Sequence, residues 1–215
     1  MHKSITNLIE IKREINLKDE NQVRIIAVSK TFSIEKILPL IDYGHVDFGE
    51  NKVQEAIDKW SIIKTKKSDL NLHMIGKLQT NKVKQAVKIF DFIHSLDSIK
   101  LAKKISEEQN KIKRNLNIFI QINIGNENQK SGIKQNEIKE FLNECKKNLG
   151  LNIIGLMCIP PNDEKSDDYF SQMLRIKKDN DIDELSMGMS NDYMSAIKFG
   201  STMIRIGSKI FGNRV

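Results

Sequence analysis

The sequence predicts an α/β chain closed into a (β/α)8 barrel of the TIM type, with one extra helix at its N-terminus. Three observations carry that prediction. Eight apolar runs of strand length alternate with segments of helical period. One helical segment separates each run from the next, which implies parallel strands joined by right-handed crossovers. No glycine-rich turn follows the first run, where an open doubly wound sheet usually has one.

The elements follow in order. Residues 4–15 have the period of an amphipathic helix and precede the first strand, 24–29 (RIIAVS). Ile34, Ile37, Leu38 and Ile41 mark a helix face closed by Gly44. A short strand at 46–48 follows, then a helix from Val53, Ala56, Ile57 and Trp60 at i, i+3, i+4, i+7. The strand at 72–75 leads to a face of Val83, Ala86, Val87 and Phe90. The strand at 92–96 leads to Ile99, Ala102 and Ile105, and the strand at 118–124 to a stripe of Ile138, Phe141, Leu142, Cys145 and Leu149 that stops at Gly150. The strand at 153–158 is followed by the Pro160-Pro161 loop and a helix around 169–176. A strand at 185–187, a helix at 193–199 closed by Gly200, and a strand at 203–206 complete eight units. Their total of 215 residues is compact for this fold, and the sequence predicts a single domain over 1–215, ending at Val215 directly after the barrel.

Composition narrows the function classes. With 39% hydrophobic and 29% charged residues, the chain is not of a disordered type. No apolar stretch approaches the roughly 18 residues a membrane helix needs, and the charged N-terminus lacks a leader's apolar core. Cys145 and Cys158 alone make no disulfide framework and point to the cytoplasm. The net charge of +7 is spread out, and the 6% of aromatics do not interleave with it, so a base-stacking surface is disfavoured.

Barrel chemistry belongs at the C-terminal ends of the strands. Lys30 ends the first run. At an ordinary strand end a lysine is a solvated terminator, but partly desolvated in a barrel mouth it can form a Schiff base with an aldehyde. The last two loops, Ser186-Met187-Gly188-Met189-Ser190 and Arg205-Ile206-Gly207-Ser208, combine glycines and hydroxyls where this fold cradles phosphate. Ser190 or Asn191 is the expected N-cap of the helix between them. His73 and His94 read as structural histidines without an acidic partner at metal spacing, and no metal is expected. Cys158 reads as a small, partly buried thiol, Glu50 and Glu55 as complements to a helix dipole, and Met187, Met189 and Met194 as packing. These residues alone do not separate one phosphorylated aldehyde from another.

Eight blocks occur together and in order: AVSKTF (27–32), FGENKVQEA (48–56), HMIGKLQTNK (73–82), HSLDS (94–98), QINIGNENQKSGI (121–133), GLMCIPP (155–161), LSMGMSNDY (185–193) and IRIGSKIFGNR (204–214). Over nearly the whole chain they resemble the pyridoxal-phosphate homeostasis proteins, relatives of the N-terminal barrel of alanine racemase (fold type III). The resemblance implies pyridoxal 5′-phosphate (PLP) as cofactor, with Lys30 as the Schiff-base lysine and Asn51 facing the cofactor ring. It implies that Ser190, Gly207 and Ser208 hold the phosphate and that Arg205 faces the pyridine nitrogen. Lys130 matches a lysine used near the site or in cofactor transfer. The sequence departs from the family at Lys52, where tyrosine is frequent, at Ser208, where threonine is common, and at Cys158, where threonine is frequent and which is expected to line the mouth.

The expected function is vitamin B6 homeostasis: buffering or delivery of PLP without turnover and without catalytic residues. The expected partners are PLP and apo-enzymes that use it, with no membrane or nucleic acid, for a monomeric protein. The alternatives are a fold type III amino-acid racemase or decarboxylase, a Schiff-base aldolase, and a basic RNA-associated protein.

Overall fold

Each apolar run forms a short strand because both of its faces are covered, one by the barrel interior and the other by a helix. The computed structural model describes residues 1–16, 23–127, 129–161, 163 and 165–212. Among them the strands are β1 (Arg24–Val28), β2 (Asp47–Glu50), β3 (Asn71–Met74), β4 (Phe92–Leu96), β5 (Asn117–Ile122), β6 (Ile153–Cys158), β7 (Glu184–Ser186) and β8 (Met203–Ile206). They pair in parallel in chain order, and β1 pairs back onto β8, closing the barrel. The helices are α1 (Lys3–Asn16), α2 (Ile34–Asp42), α3 (Val53–Lys66), α4 (Val83–Ile89), α5 (Ile99–Lys111), α6 (Ile138–Asn143), α7 (Ser166–Asp179), α8 (Tyr193–Lys198) and α9 (Ser208–Phe211). None is long and apolar enough to cross a membrane.

The main core lies between strands and helices. Inside the barrel, Ile26, Phe92, Phe119, Met157 and Met203 form a separate apolar cluster. His73 stacks on Phe92 (centroids 4.2 Å apart) and His94 on Phe119 (4.3 Å).

Several boundaries differ from expectation for physical reasons. β2 starts one residue later than 46–48 and continues through Glu50, because those residues pair with β3. Gly49 permits it: a Cβ there would stand 2.9 Å from Ile75. β5 stops at Ile122, where Asn123 turns the chain by bonding both the N–H and the carbonyl of Glu127. β7 is shifted to Glu184–Ser186. The stripe from Ile138 to Leu149 passes from α6 into a π turn at Glu144–Asn148. α9 is too short to leave a helical period in the sequence. Asn128 and the Asn213-Arg214 end of the last block lie outside the described residues.

Candidate functional site

Lys30 stands two residues beyond β1, half-buried, between two residues that are held from behind. Thr31 adopts a left-handed backbone (φ 68°), strained for a β-branched residue, and its N–H donates to Glu55 Oε1 at 2.6 Å. Ser29 Oγ donates to Glu50 Oε1 at 2.8 Å, and Lys59 Nζ donates to the Ser29 carbonyl at 2.9 Å. Glu50 and Glu55 therefore do not simply complement a helix dipole. Glu50 faces out of the barrel toward α3, fully buried, and also accepts from Lys59 and Trp60 Nε1. Lys59 was not singled out from the sequence, and Trp60 only as part of the apolar face of its helix. The i, i+4 spacing of Glu55 and Lys59 was the one signal available.

At the C-terminal end of the barrel is a cavity of about 530 Å³. Lys30, Asn51, Ser190, Arg205, Gly207 and Ser208 all line it, so the six residues named from the sequence converge in one place. Val28, Phe32, Ile75, Ile159 and Met189 supply apolar wall, and Asp192 adds a carboxylate. Gly76 sets the position of Asn51: a Cβ there would lie 2.4 Å from the Asn51 carbonyl oxygen. Asn51 Oδ1 is buried with no hydrogen-bond partner among the described residues, an orphaned acceptor in a residue that lines the cavity.

The loops after β7 and β8 are joined. Arg205 N–H donates to the Gly188 carbonyl at 3.0 Å, and Lys209 N–H reaches Ser190 Oγ at 3.5 Å. Gly188 has φ 91°, and a Cβ there would meet Ala196 at 2.6 Å. The N-cap position of α8 is Asp192, not Ser190 or Asn191. Asp192 Oδ1 accepts the Met189 N–H at 2.6 Å, which leaves the Ser190 hydroxyl on the cavity. Gly207 has a different character. A Cβ there would meet only Val28, at an ordinary 3.5 Å, so packing does not demand glycine. The first turn of α9 leaves N–H groups without intrahelical partners beside it.

Arg205 is buried at the cavity base. Its Nη1 donates to Ser186 Oγ and to the Ser186 carbonyl, both at 2.7 Å, and its Nη2 donates to the Cys158 carbonyl at 2.8 Å. Burial lowers its pKa from the ordinary value, but a guanidinium stays protonated at neutral pH. Cys158 is not partly buried and does not line the mouth. It is fully buried, contributes its carbonyl, and burial pushes its thiol up to about 12. Met187 is core, whereas Met189 lies on the cavity. Lys130 bonds the Pro160 carbonyl at 3.5 Å and Glu127 at 2.5 Å, outside the cavity lining. His73 does have an acidic partner, Asp47, 26 residues earlier. No group of His, Cys, Asp and Glu among the described residues is arranged to hold a metal.

A closed parallel barrel whose mouth gathers a lysine, an arginine and a glycine- and hydroxyl-rich rim defines a (β/α)8 protein suited to a small anionic ligand. The alanine racemase N-terminal domain family matches residues 6–215. The pyridoxal phosphate homeostasis protein of Haemophilus influenzae is 40% identical over 222 residues, covering 97% of this chain and 94% of that protein. The protein of the same name from Pasteurella multocida is 39% identical over 224 residues, covering 97% and 96%. The chain belongs to the alanine racemase N-terminal domain family, in its pyridoxal phosphate homeostasis branch. PipY of Synechococcus elongatus PCC7942, solved with PLP bound, superposes with a TM-score of 0.83 at 32% identity, over 94% of this chain and 99% of PipY.

Proposed function

We propose that this chain binds PLP in the barrel mouth and serves cytoplasmic PLP homeostasis, as one binding domain over 1–215, without turnover of its own. The observation that carries the reading is the convergence of Lys30, Arg205 and the Ser190–Gly207–Ser208 rim on one cavity. Its volume of about 530 Å³ suits a small-molecule site. The orphaned Asn51 Oδ1 supplies a polar atom in need of a ligand.

When bound, the cofactor supplies an aldehyde that reacts with primary amines. Lys30 is the amine at the mouth. Ser190, Ser208 and the backbone at Gly207 would donate to phosphate oxygens, and Arg205 would donate toward the ring nitrogen. Asn51 would face the cofactor ring. The sequence relationship to PipY and to two homeostasis proteins supports the same ligand and role here. Partner apo-enzymes that receive the cofactor, and a monomeric state, belong to this proposal. Spectra of purified protein with added PLP, before and after borohydride, followed by peptide mapping, test it. The expected result is a visible band converted to stable label on the Lys30 peptide. No band and no label would reject the reading.

A further inference from the structure

Five polar side chains form one unbroken hydrogen-bonded line through the barrel interior. Asp47 begins it at the N-terminal end of β2, and Asp47 Oδ1 lies 3.0 Å from His73 Nε2. His73 Nδ1 lies 3.0 Å from His94 Nε2, and His94 Nδ1 lies 2.9 Å from Ser186 Oγ. Ser186 Oγ lies 2.7 Å from Arg205 Nη1, at the cavity. All five residues are buried.

With both rings neutral, the chemistry of the two ends fixes the direction of every bond between them. A guanidinium only donates, so Arg205 gives a proton to Ser186 Oγ. A carboxylate only accepts, so His73 Nε2 carries the proton shared with Asp47. A neutral His73 then accepts at Nδ1, which requires a proton on His94 Nε2. His94 Nδ1 accepts in turn, and the Ser186 hydroxyl proton fills it. Each bond receives one proton, and no donor faces another. Burial favours the neutral form of both rings. It lowers His73 below its ordinary value against the pull of Asp47 and Asp91, with Arg24 adding to the depression. It lowers His94 much further, reinforced by His73, Arg205 and Arg24.

We propose that Asp47, His73 and His94 are positioning residues for Arg205, acting through a one-directional relay that orients the Ser186 hydroxyl. With its proton committed to His94, Ser186 turns its lone pairs to Arg205. Nη1 is then fully used by Ser186 and one Nη2 proton by Cys158. Nε–H and the second Nη2–H have no partner among the described residues and are left for a ligand. The relay rests on these distances and on the neutral form of both rings that burial favours. Only its consequence for a bound ring nitrogen rests on the proposed function.

Ring-nitrogen NMR of the ligand-free, 15N-labelled protein tests the relay directly. Both rings are expected as Nε2–H tautomers, unchanged between about pH 6 and 8. An Nδ1–H tautomer or an imidazolium at either ring would overturn the relay. His73→Phe keeps an aromatic ring against Phe92 but removes the acceptor for His94 Nε2–H. In the folded variant, His94 is expected to move to Nδ1–H in most molecules, a change that packing alone does not cause. An unchanged His94 tautomer would overturn the proposal. With added PLP, the variant is expected to shift the visible band while Lys30 stays the labelled residue. Failure of the wild-type protein to take up PLP would remove the functional reading and leave the relay intact. Wrong tautomers with normal PLP uptake would do the reverse.

Discussion

Lys59 Nζ lies 2.9 Å from Glu50 Oε1, behind the strand end that carries Lys30, and this pair secures both neighbours of that lysine. The same ammonium donates to the Ser29 carbonyl and, at 3.1 Å, to Glu55 Oε1, which in turn holds Thr31. The Lys59 and Glu50 side chains are only 9% and 0% exposed. Removing one partner leaves a buried charge unpaired, which costs about 3–5 kcal/mol. Lys59→Met is therefore expected to lower unfolding stability by about that amount in urea titrations. Adding Glu50→Gln should recover more than half, because a neutral amide still accepts from Ser29 and Trp60. A double variant as unstable as the single one would contradict an electrostatic origin.

Borohydride-stable label is expected on Lys30. Lys30→Ala should abolish it yet retain weaker PLP binding, since the rim proposed to hold the phosphate is untouched. Mass mapping and equilibrium dialysis read the two effects separately. Label confined to Lys77 or Lys130 would overturn the assignment.

The rim separates fold from ligand. Gly207→Ala adds a methyl that meets only Val28, so stability should stay within about 0.5–1 kcal/mol of wild type. The same methyl limits approach to the backbone N–H groups, so PLP affinity should fall. Ser208→Asp would place like charge at the proposed phosphate site and should weaken binding by about 1–3 kcal/mol. Pyridoxal, without phosphate, should bind far more weakly than PLP. Calorimetry giving equal affinities for the two would rule out the rim as the phosphate site.

Stability should fall as pH drops from about 6.5. Burial lowers His45 to about 4, outweighing the pull of Asp47. Because the folded value is depressed, the unfolded chain takes the proton first. The contribution is fully present above the unfolded pKa of about 6.5 and is lost as pH falls toward 4. That window corresponds to about 3 kcal/mol for His45, and His73 and His94 shift in the same direction. Urea midpoints between pH 7.5 and 4.5 check this. His45→Asn should flatten the profile, and an equally steep profile in the variant would argue against it.

The barrel was legible because each strand is apolar on both faces and each helix on one, a pattern that survives in one dimension. β2 was blurred because its last two residues are Gly49 and Glu50, and the partners that hide the Glu50 charge arrive from α3. His73 and Asp47 escaped pairing for a related reason. Neighbouring barrel strands are separated by a whole helix and its loops, so contact partners sit 21 to 26 residues apart, far from any local ligand spacing. The direction of Cys158 depends on strand register, which its neighbours in sequence do not reveal. The rim was readable because strand ends in this fold have fixed functional meaning, and glycine with hydroxyls stands out against apolar runs.

Amino acids are expected to pass through the loaded protein without sustained turnover. An electron-sink ring works best when its pyridine nitrogen is protonated and held by a carboxylate. Arg205 donates and cannot accept, so a nitrogen facing it stays unprotonated. Two-base racemisation also needs an acid or base on each face of the substrate, and Lys30 supplies one. Tyr193, the phenol beside the rim, is 3% exposed and does not line the cavity. Its hydroxyl is engaged by Glu14 and by Lys209, and burial raises its pKa, so it keeps its proton and is turned from the site. Exchange of amino-acid α-protons in deuterated water, followed by NMR, is therefore expected to run well below about 1 s⁻¹. Exchange at or above that rate, lost in Lys30→Ala, would place the protein among the racemases instead.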